Sequence, residues 1–153
     1  MKVKKTLKSI AGWILYIAIL VALIYGIPKG LTFALKTEYP MASITSGSMW
    51  PALKRGDLIL IKGIEGKGEI KEGDIVVYKN PSTGSGQDPK GFTIHRVIEL
   101  NENTIVTKGD ANNVADSPVE YEEIIGKPLT FNQKPIRIPF LGNVNILLNK
   151  NNL

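Results

Sequence analysis

Ser43-Ile44-Thr45-Ser46-Gly47-Ser48-Met49-Trp50-Pro51 gathers four hydroxyl side chains and one glycine into nine residues. A glycine lets the backbone bend close to another group. A hydroxyl on such a bend can act as a nucleophile once a base takes its proton, with nearby hydroxyl and N–H groups available to an oxyanion. Taken alone, the cluster reads as an ordinary turn. The inventory of bases gives it chemical content. His95 is the single histidine of 153 residues. It lies in Thr93-Ile94-His95-Arg96-Val97, where strand alternation puts Thr93, His95 and Val97 on one face and Ile94 and Arg96 on the other. Any imidazole that activates a serine in this chain is His95. Asp110, in Thr107-Lys108-Gly109-Asp110-Ala111-Asn112-Asn113, and Asp116, in Val114-Ala115-Asp116-Ser117-Pro118, are the candidates for the acid that orients the ring. Singly, an aspartate in such a turn serves only the turn.

Composition removes several other chemistries. The chain has no cysteine, which excludes disulfide frameworks, thiol nucleophiles, cysteine-type zinc sites and iron–sulfur clusters. One histidine excludes metal sites built from several imidazoles, and neither a metal nor a cofactor is expected. With 43% hydrophobic and 22% charged residues, one folded domain of modest core is the natural expectation. The net charge of +5 first suggests an acidic partner. Its location says otherwise. Lys2, Lys4, Lys5 and Lys8 carry most of it, and without them the remainder falls to +1.

Those lysines precede an uncharged run from Ser9 to Pro28. A helix rises about 1.5 Å per residue, so the run spans roughly the 30 Å hydrocarbon core of a bilayer. Trp13 and Tyr25 stand near its ends, where amphipathic rings favour the interface. The run is longer than the apolar core of a cleavable signal peptide, and too apolar all round for so short a remainder to cover as a core helix. It reads as an uncleaved anchor. The lysine flank places the N-terminus in the cytoplasm and the rest of the chain outside it.

From Met41 onward the reading is mainly β. Asp57–Lys62, Asp74–Lys79, Phe92–Leu100 and Thr104–Lys108 are strand candidates, and Glu99–Asn103 a hairpin connection between the last two. Short strands at this spacing suggest a barrel-like or sandwich fold. One short helix is expected after Ser117: Ser117 caps, Pro118 suits the first position, Glu120 completes a capping box and Gly126 ends it. Residues 80–91 read as a loop by composition. Phe140–Leu148 is too short and too polar to span a membrane.

The order Ser46-Gly47-Ser48-Met49-Trp50-Pro51, Gly56-Asp57, Gly73-Asp74-Ile75-Val76-Val77-Tyr78, Ile94-His95-Arg96-Val97 and Lys108-Gly109-Asp110-Ala111-Asn112…Asp116 resembles the boxes of a type I signal peptidase. The form is the archaeal and endoplasmic-reticulum one, in which histidine replaces the bacterial lysine base. The resemblance implies a signal-peptidase-like β-domain behind one transmembrane helix. It implies Ser48 as nucleophile, His95 as general base, Asp116 as the acid orienting it, and Asp110 as a second aspartate of the catalytic set. Ser46 and Met49 fall at the oxyanion and substrate-binding positions. Trp50 departs from the acidic or small polar residue common there. The implied substrates are signal-peptide-bearing preproteins with small residues at the first and third positions before the cut, bound by strand addition. The implied partners are the lipid bilayer and the protein-export channel. The expected location is the plasma membrane, single-pass. The expected organisation is a cytoplasmic N-terminus at 1–8, an anchor at 9–28, a linker at 29–45, a catalytic domain at 46–148 and a tail at 149–153.

Three other readings compete. A membrane-anchored, non-catalytic β-domain that binds a partner protein requires the Ser/His/Asp order to be coincidence. A nucleic-acid-binding barrel requires aromatics interleaved with a basic patch, and Tyr39, Trp50, Tyr78, Phe92, Tyr121, Phe131 and Phe140 form no such pattern, so no nucleic acid is expected. A lysine-based peptidase would draw on Lys62, Lys79 or Lys108, none of which occupies the matched position.

Overall fold

The computed structural model describes residues 2–79 and 91–150. The 80–91 loop, apart from Gly91, and the last residues of the expected tail lie outside the described residues. The chain divides into two compact units at Ala34/Leu35.

The first unit is the body of helix α1, Lys2–Leu35. Within it Ile10–Leu35, 26 residues of mean hydropathy 2.4, is long and apolar enough to cross a membrane. The helix continues through Pro28, so residues 29–35, expected as linker, form its last two turns. Proline offers no N–H to the helical ladder. The apolar residues Leu31, Phe33 and Leu35 carry the helix onward, and the Thr32 hydroxyl donates to the Pro28 carbonyl at 3.0 Å.

The second unit is mainly β. Its strands are β1 Met41–Ser43, β2 Leu58–Lys62, β3 Ile75–Lys79, β4 Phe92–Leu100, β5 Thr104–Lys108, β6 Val119–Glu120, β7 Ile124–Pro128, β8 Thr130–Phe131, β9 Lys134–Pro135 and β10 Arg137–Ile138. An antiparallel sheet runs in the order β1-β2-β7-β3-β4-β5-β6, with β10 also paired to β2, and β8 and β9 form a separate hairpin. The four strand candidates of the sequence are β2, β3, β4 and β5. The 99–103 connection is the β4–β5 turn, closed by Asn101 N–H to the Thr104 carbonyl at 2.8 Å.

Strand β3 explains why the sheet has two cores. Ile75 to Tyr78 are all buried. Ile75 and Val77 pack with Ile44, Met49, Leu53, Ile59 and Ile61. Val76 and Tyr78, on the opposite face, pack with Ile70, Val97, Ile105, Val119 and Ile124. A continuous apolar run is the mark of a strand covered on both sides.

Two identical turns launch β2 and β3. In Lys54-Arg55-Gly56-Asp57 the Asp57 N–H donates to the Lys54 carbonyl at 3.0 Å, while the Lys54 N–H donates back to Asp57 Oδ2 at 2.9 Å. Lys71-Glu72-Gly73-Asp74 repeats both bonds at 3.1 and 3.0 Å. Gly56 and Gly73 sit at φ +89° and +88°, the third position of a type II turn, which favours glycine. Two of the motif boxes are therefore strand-launching turns.

The helix expected after Ser117 is absent. Val119 and Glu120 pair with Ile105 and Thr104 on β5, Tyr121–Glu123 make one 3-10 turn, and Gly126 lies inside β7. Val119 and Ile124 are core residues, and their burial in the sheet outweighs the local capping signal. The short helix of this fold is instead α2, Gly142–Lys150.

Gly126 is thus a packing glycine. A Cβ there would stand 2.2 Å from the Lys62 carbonyl oxygen of β2. Gly126→Ala is expected to force β2 and β7 apart and destabilise the fold by about 1–3 kcal/mol. Thermal unfolding of the purified variant checks this, and an unchanged or raised Tm refutes it.

Candidate active site

The serine turn lies between β1 and β2. Trp50 N–H donates to the Gly47 carbonyl at 3.0 Å and Leu53 N–H to the Met49 carbonyl at 2.9 Å. Met49 is 2% exposed and Leu53 fully buried, so both side chains root the turn in the first core. Met49, expected beside the substrate, is an anchor whose side chain faces inward. Trp50 is exposed.

His95 belongs to the other core's side. The register pairs Val76 with His95 and Tyr78 with Thr93. Thr93, His95 and Val97 are buried on that face, as the alternation predicts. His95 Nε2 stands 3.1 Å from Ser48 Oγ, and its Nδ1 stands 2.6 Å from Asp116 Oδ2. Ser46 Oγ is 3.1 Å from Ser48 Oγ. The structure thus brings Ser46, Ser48, His95 and Asp116 into one hydrogen-bonded series. In that order an imidazole can take a hydroxyl proton at Nε2 while the carboxylate holds its other N–H, fixing tautomer and ring orientation.

Asp110 faces elsewhere. Its Oδ1 and Oδ2 accept from Arg96 Nε and Nη2, each at 2.8 Å, and Arg96 Nη1 donates to the Gly73 carbonyl at 2.6 Å. This bidentate pair is geometrically specific. It steadies the turn in which Ala111 N–H donates to the Ser48 carbonyl at 2.8 Å. The approach is close: a Cβ at Gly109 would stand 2.8 Å from that same carbonyl oxygen. Asp110 therefore acts on the site only through its chain neighbour Ala111, whose N–H holds the Ser48 carbonyl.

Two polar groups absent from the sequence reading of the site complete it. Thr107 Oγ1 donates to Asp116 Oδ2 at 2.6 Å, and Tyr78 Oη donates to the same oxygen at 3.2 Å. Asp116 N–H also donates to the Thr107 carbonyl at 2.8 Å. The available signal was a hydroxyl at an inward position of each strand, amid Ile and Val. Both residues also suit a strand by propensity alone, which hides the chemical role. The lysines lie apart from this series. Lys62 and Lys79 are exposed at strand ends, and Lys108 pairs with Arg96, on the face opposite Thr107 and His95.

The family model for signal peptidase, peptidase S26, matches residues 10–139. A signal peptidase complex catalytic subunit of Sclerotinia sclerotiorum is 33% identical, covering 94% of this chain and 83% of that protein. One from Metarhizium robertsii is 30% identical over the same shares of each chain. A human one is 32% identical, covering 89% of this chain and 71% of that protein.

Burial is the main cause that pushes the Tyr78 phenol from 10.0 up to about 12; the Asp116 charge adds to it, while the Thr107 and Thr93 hydroxyls pull it down. A phenol whose folded pKa exceeds its unfolded one contributes stability that is full below pH 10.0 and lost as pH rises towards about 12. Alkaline titration followed by tyrosinate absorbance should show a component ionising near pH 12 that belongs to Tyr78. Tyr78→Phe should remove that component. Its persistence in the variant refutes the assignment.

Proposed function

The chain belongs to the signal peptidase family, peptidase S26, and from that membership we propose that it is a membrane-anchored serine endopeptidase removing signal peptides from preproteins. The observation that carries this reading is the continuous Ser48–His95–Asp116 series at 3.1 and 2.6 Å. The relatives' names, which describe catalytic subunits of a signal peptidase complex, support the substrate class.

In this mechanism Ser48 Oγ attacks the scissile carbonyl carbon as His95 Nε2 takes its proton. The carbonyl oxygen gains the negative charge, and in this scheme the Ser46 hydroxyl, 3.1 Å from Ser48 Oγ, donates to it. The intermediate collapses as His95 returns the proton to the leaving amine. Water, deprotonated by His95, then resolves the acyl-enzyme and restores the Ser48 hydroxyl. Asp116 holds His95 Nδ1–H throughout. Asp110, paired with Arg96, supports the Ser48 backbone.

The topology follows from the charge pattern and the apolar helix. In this reading Ile10–Leu35 spans the plasma membrane once, the N-terminal lysines stay cytoplasmic, and the β-domain works outside on preproteins emerging from the export channel. The histidine base makes it the archaeal and endoplasmic-reticulum form.

Processing of a model preprotein by the full chain in detergent tests the scheme. Ser48→Ala and His95→Ala should each lower kcat by about 10⁴-fold or more, because members of such a unit act together. Asp116→Asn should be severe, and Asp110→Asn milder. Wild-type-like processing by Ser48→Ala would sink the mechanism and favour an anchored binding domain.

A further inference from the structure

A carboxylate that orients a histidine must itself be held, and its charge must be shared or it grips the ring proton too tightly. Asp116 Oδ2 accepts three donors at once: His95 Nδ1 at 2.6 Å, Thr107 Oγ1 at 2.6 Å and Tyr78 Oη at 3.2 Å. Tyr78 is 1% exposed, and Thr107 is fully buried. The ring of Tyr78 fills the second core, while its hydroxyl end reaches out of that core to the carboxylate. Filling the core needs only a phenyl ring. The hydroxyl has a separate role, and a buried phenol O–H finds a partner where it can act.

We propose that Tyr78 is a positioning residue of the proteolytic relay: with Thr107, its hydroxyl fixes the Asp116 carboxylate and draws charge away from the oxygen that His95 uses. This rests on the serine-peptidase reading above. Raised to about 12, the phenol remains a donor throughout the neutral range. The groups facing the relay are Tyr78 from β3, His95 and Thr93 from β4, Thr107 from β5, and Ser46 and Ser48 from the serine turn. The nearest charged pair, Arg96 with Asp110, is self-neutralised, and Arg96 projects from the opposite face of β4.

The direction of the effect follows. Removing one donor leaves Oδ2 a stronger acceptor, and a stronger acceptor favours the protonated imidazole. The base is then withdrawn at a higher pH. Its carboxylate support is also less firmly oriented, which lowers the rate at saturating substrate without altering substrate binding.

The test is the pH–rate profile of preprotein processing by the full-length chain in detergent, for wild type and Tyr78→Phe. The expected result is a kcat lower by about tenfold, an unchanged KM, and an acid limb moved up by about half a pH unit. Thr107→Val should move the limb in the same direction, and Thr107→Ser should rescue it. Should Tyr78→Phe fail to fold, the Thr107 pair carries the same prediction. An acid limb that coincides with wild type overturns the proposal whatever happens to kcat, since a structural role alone lowers activity without moving it. Ser48→Ala in the same assay separates the two readings. Processing by that variant defeats the serine mechanism itself, whereas an inactive Ser48→Ala beside an unshifted Tyr78→Phe defeats only the role of the phenol.

Discussion

The hydrogen bond from Ala111 N–H to the Ser48 carbonyl, 2.8 Å long, joins two chain segments that otherwise belong to different cores. The serine turn is rooted by Met49 and Leu53 in one core. The histidine projects from the face of β4 that carries Val97 into the other. A relay between them needs the serine turn brought across the end of β5, and the Gly109–Asn112 turn does this. It requires a glycine at 109, where any side chain would meet the Ser48 carbonyl oxygen. It also requires a tether, which Asp110 supplies through Arg96 and onward to the Gly73 carbonyl.

That arrangement divides the motif residues into two kinds. Ser46, Ser48, His95 and Asp116 form the hydrogen-bonded series from which the proposed chemistry follows. Asp57, Asp74 and Asp110 are tied into turns and ion pairs: Asp57 to Arg137, Asp74 to Lys127 and Asp110 to Arg96. Asp57 is nearly fully buried and accepts from both Arg137 and the Lys54 N–H, so its charge is paired and hydrogen-bonded as burial requires. These acids shape the domain around the relay without touching it. Family membership and fold point the same way, since the matched region covers α1 from residue 10 and nearly all of the β-domain.

Local signals were most misleading where local and global demands differ. Ser117-Pro118-Val119-Glu120 has the grammar of a helix start, yet Val119 and Ile124 are needed in the sheet. Gly126 looks like a helix terminator and instead lies inside β7, where a Cβ would meet the Lys62 carbonyl oxygen of β2. Pro28 looks like the end of α1, and the helix passes through it. Met49, set at a substrate-binding position by the resemblance, has its side chain buried in the first core. Between Ser117 and Gly126 a capping signal worth about 1 kcal/mol yields to burial of Val119 and Ile124 in the sheet, worth more in sum.

The sequence by itself determined the apolar helix, the β character of the remainder, strands β2 to β5 close to their limits, and the face of β4 on which His95 stands. All of these follow from periods of one or two residues or from a continuous apolar run, which are local properties of the chain. It also confined the imidazole base to one residue. Asp110 and Asp116 stand six residues apart in similar turns and are alike as local sequence, so apart from the family resemblance only the tertiary structure decided which of them meets that imidazole. Ser48 and Asp116 lie 47 and 21 residues from His95. Contacts at such separations depend on strand order, register and close backbone approach. The hydroxyls of Tyr78 and Thr107 became legible only there, because a buried polar group acquires meaning from the partner that satisfies it.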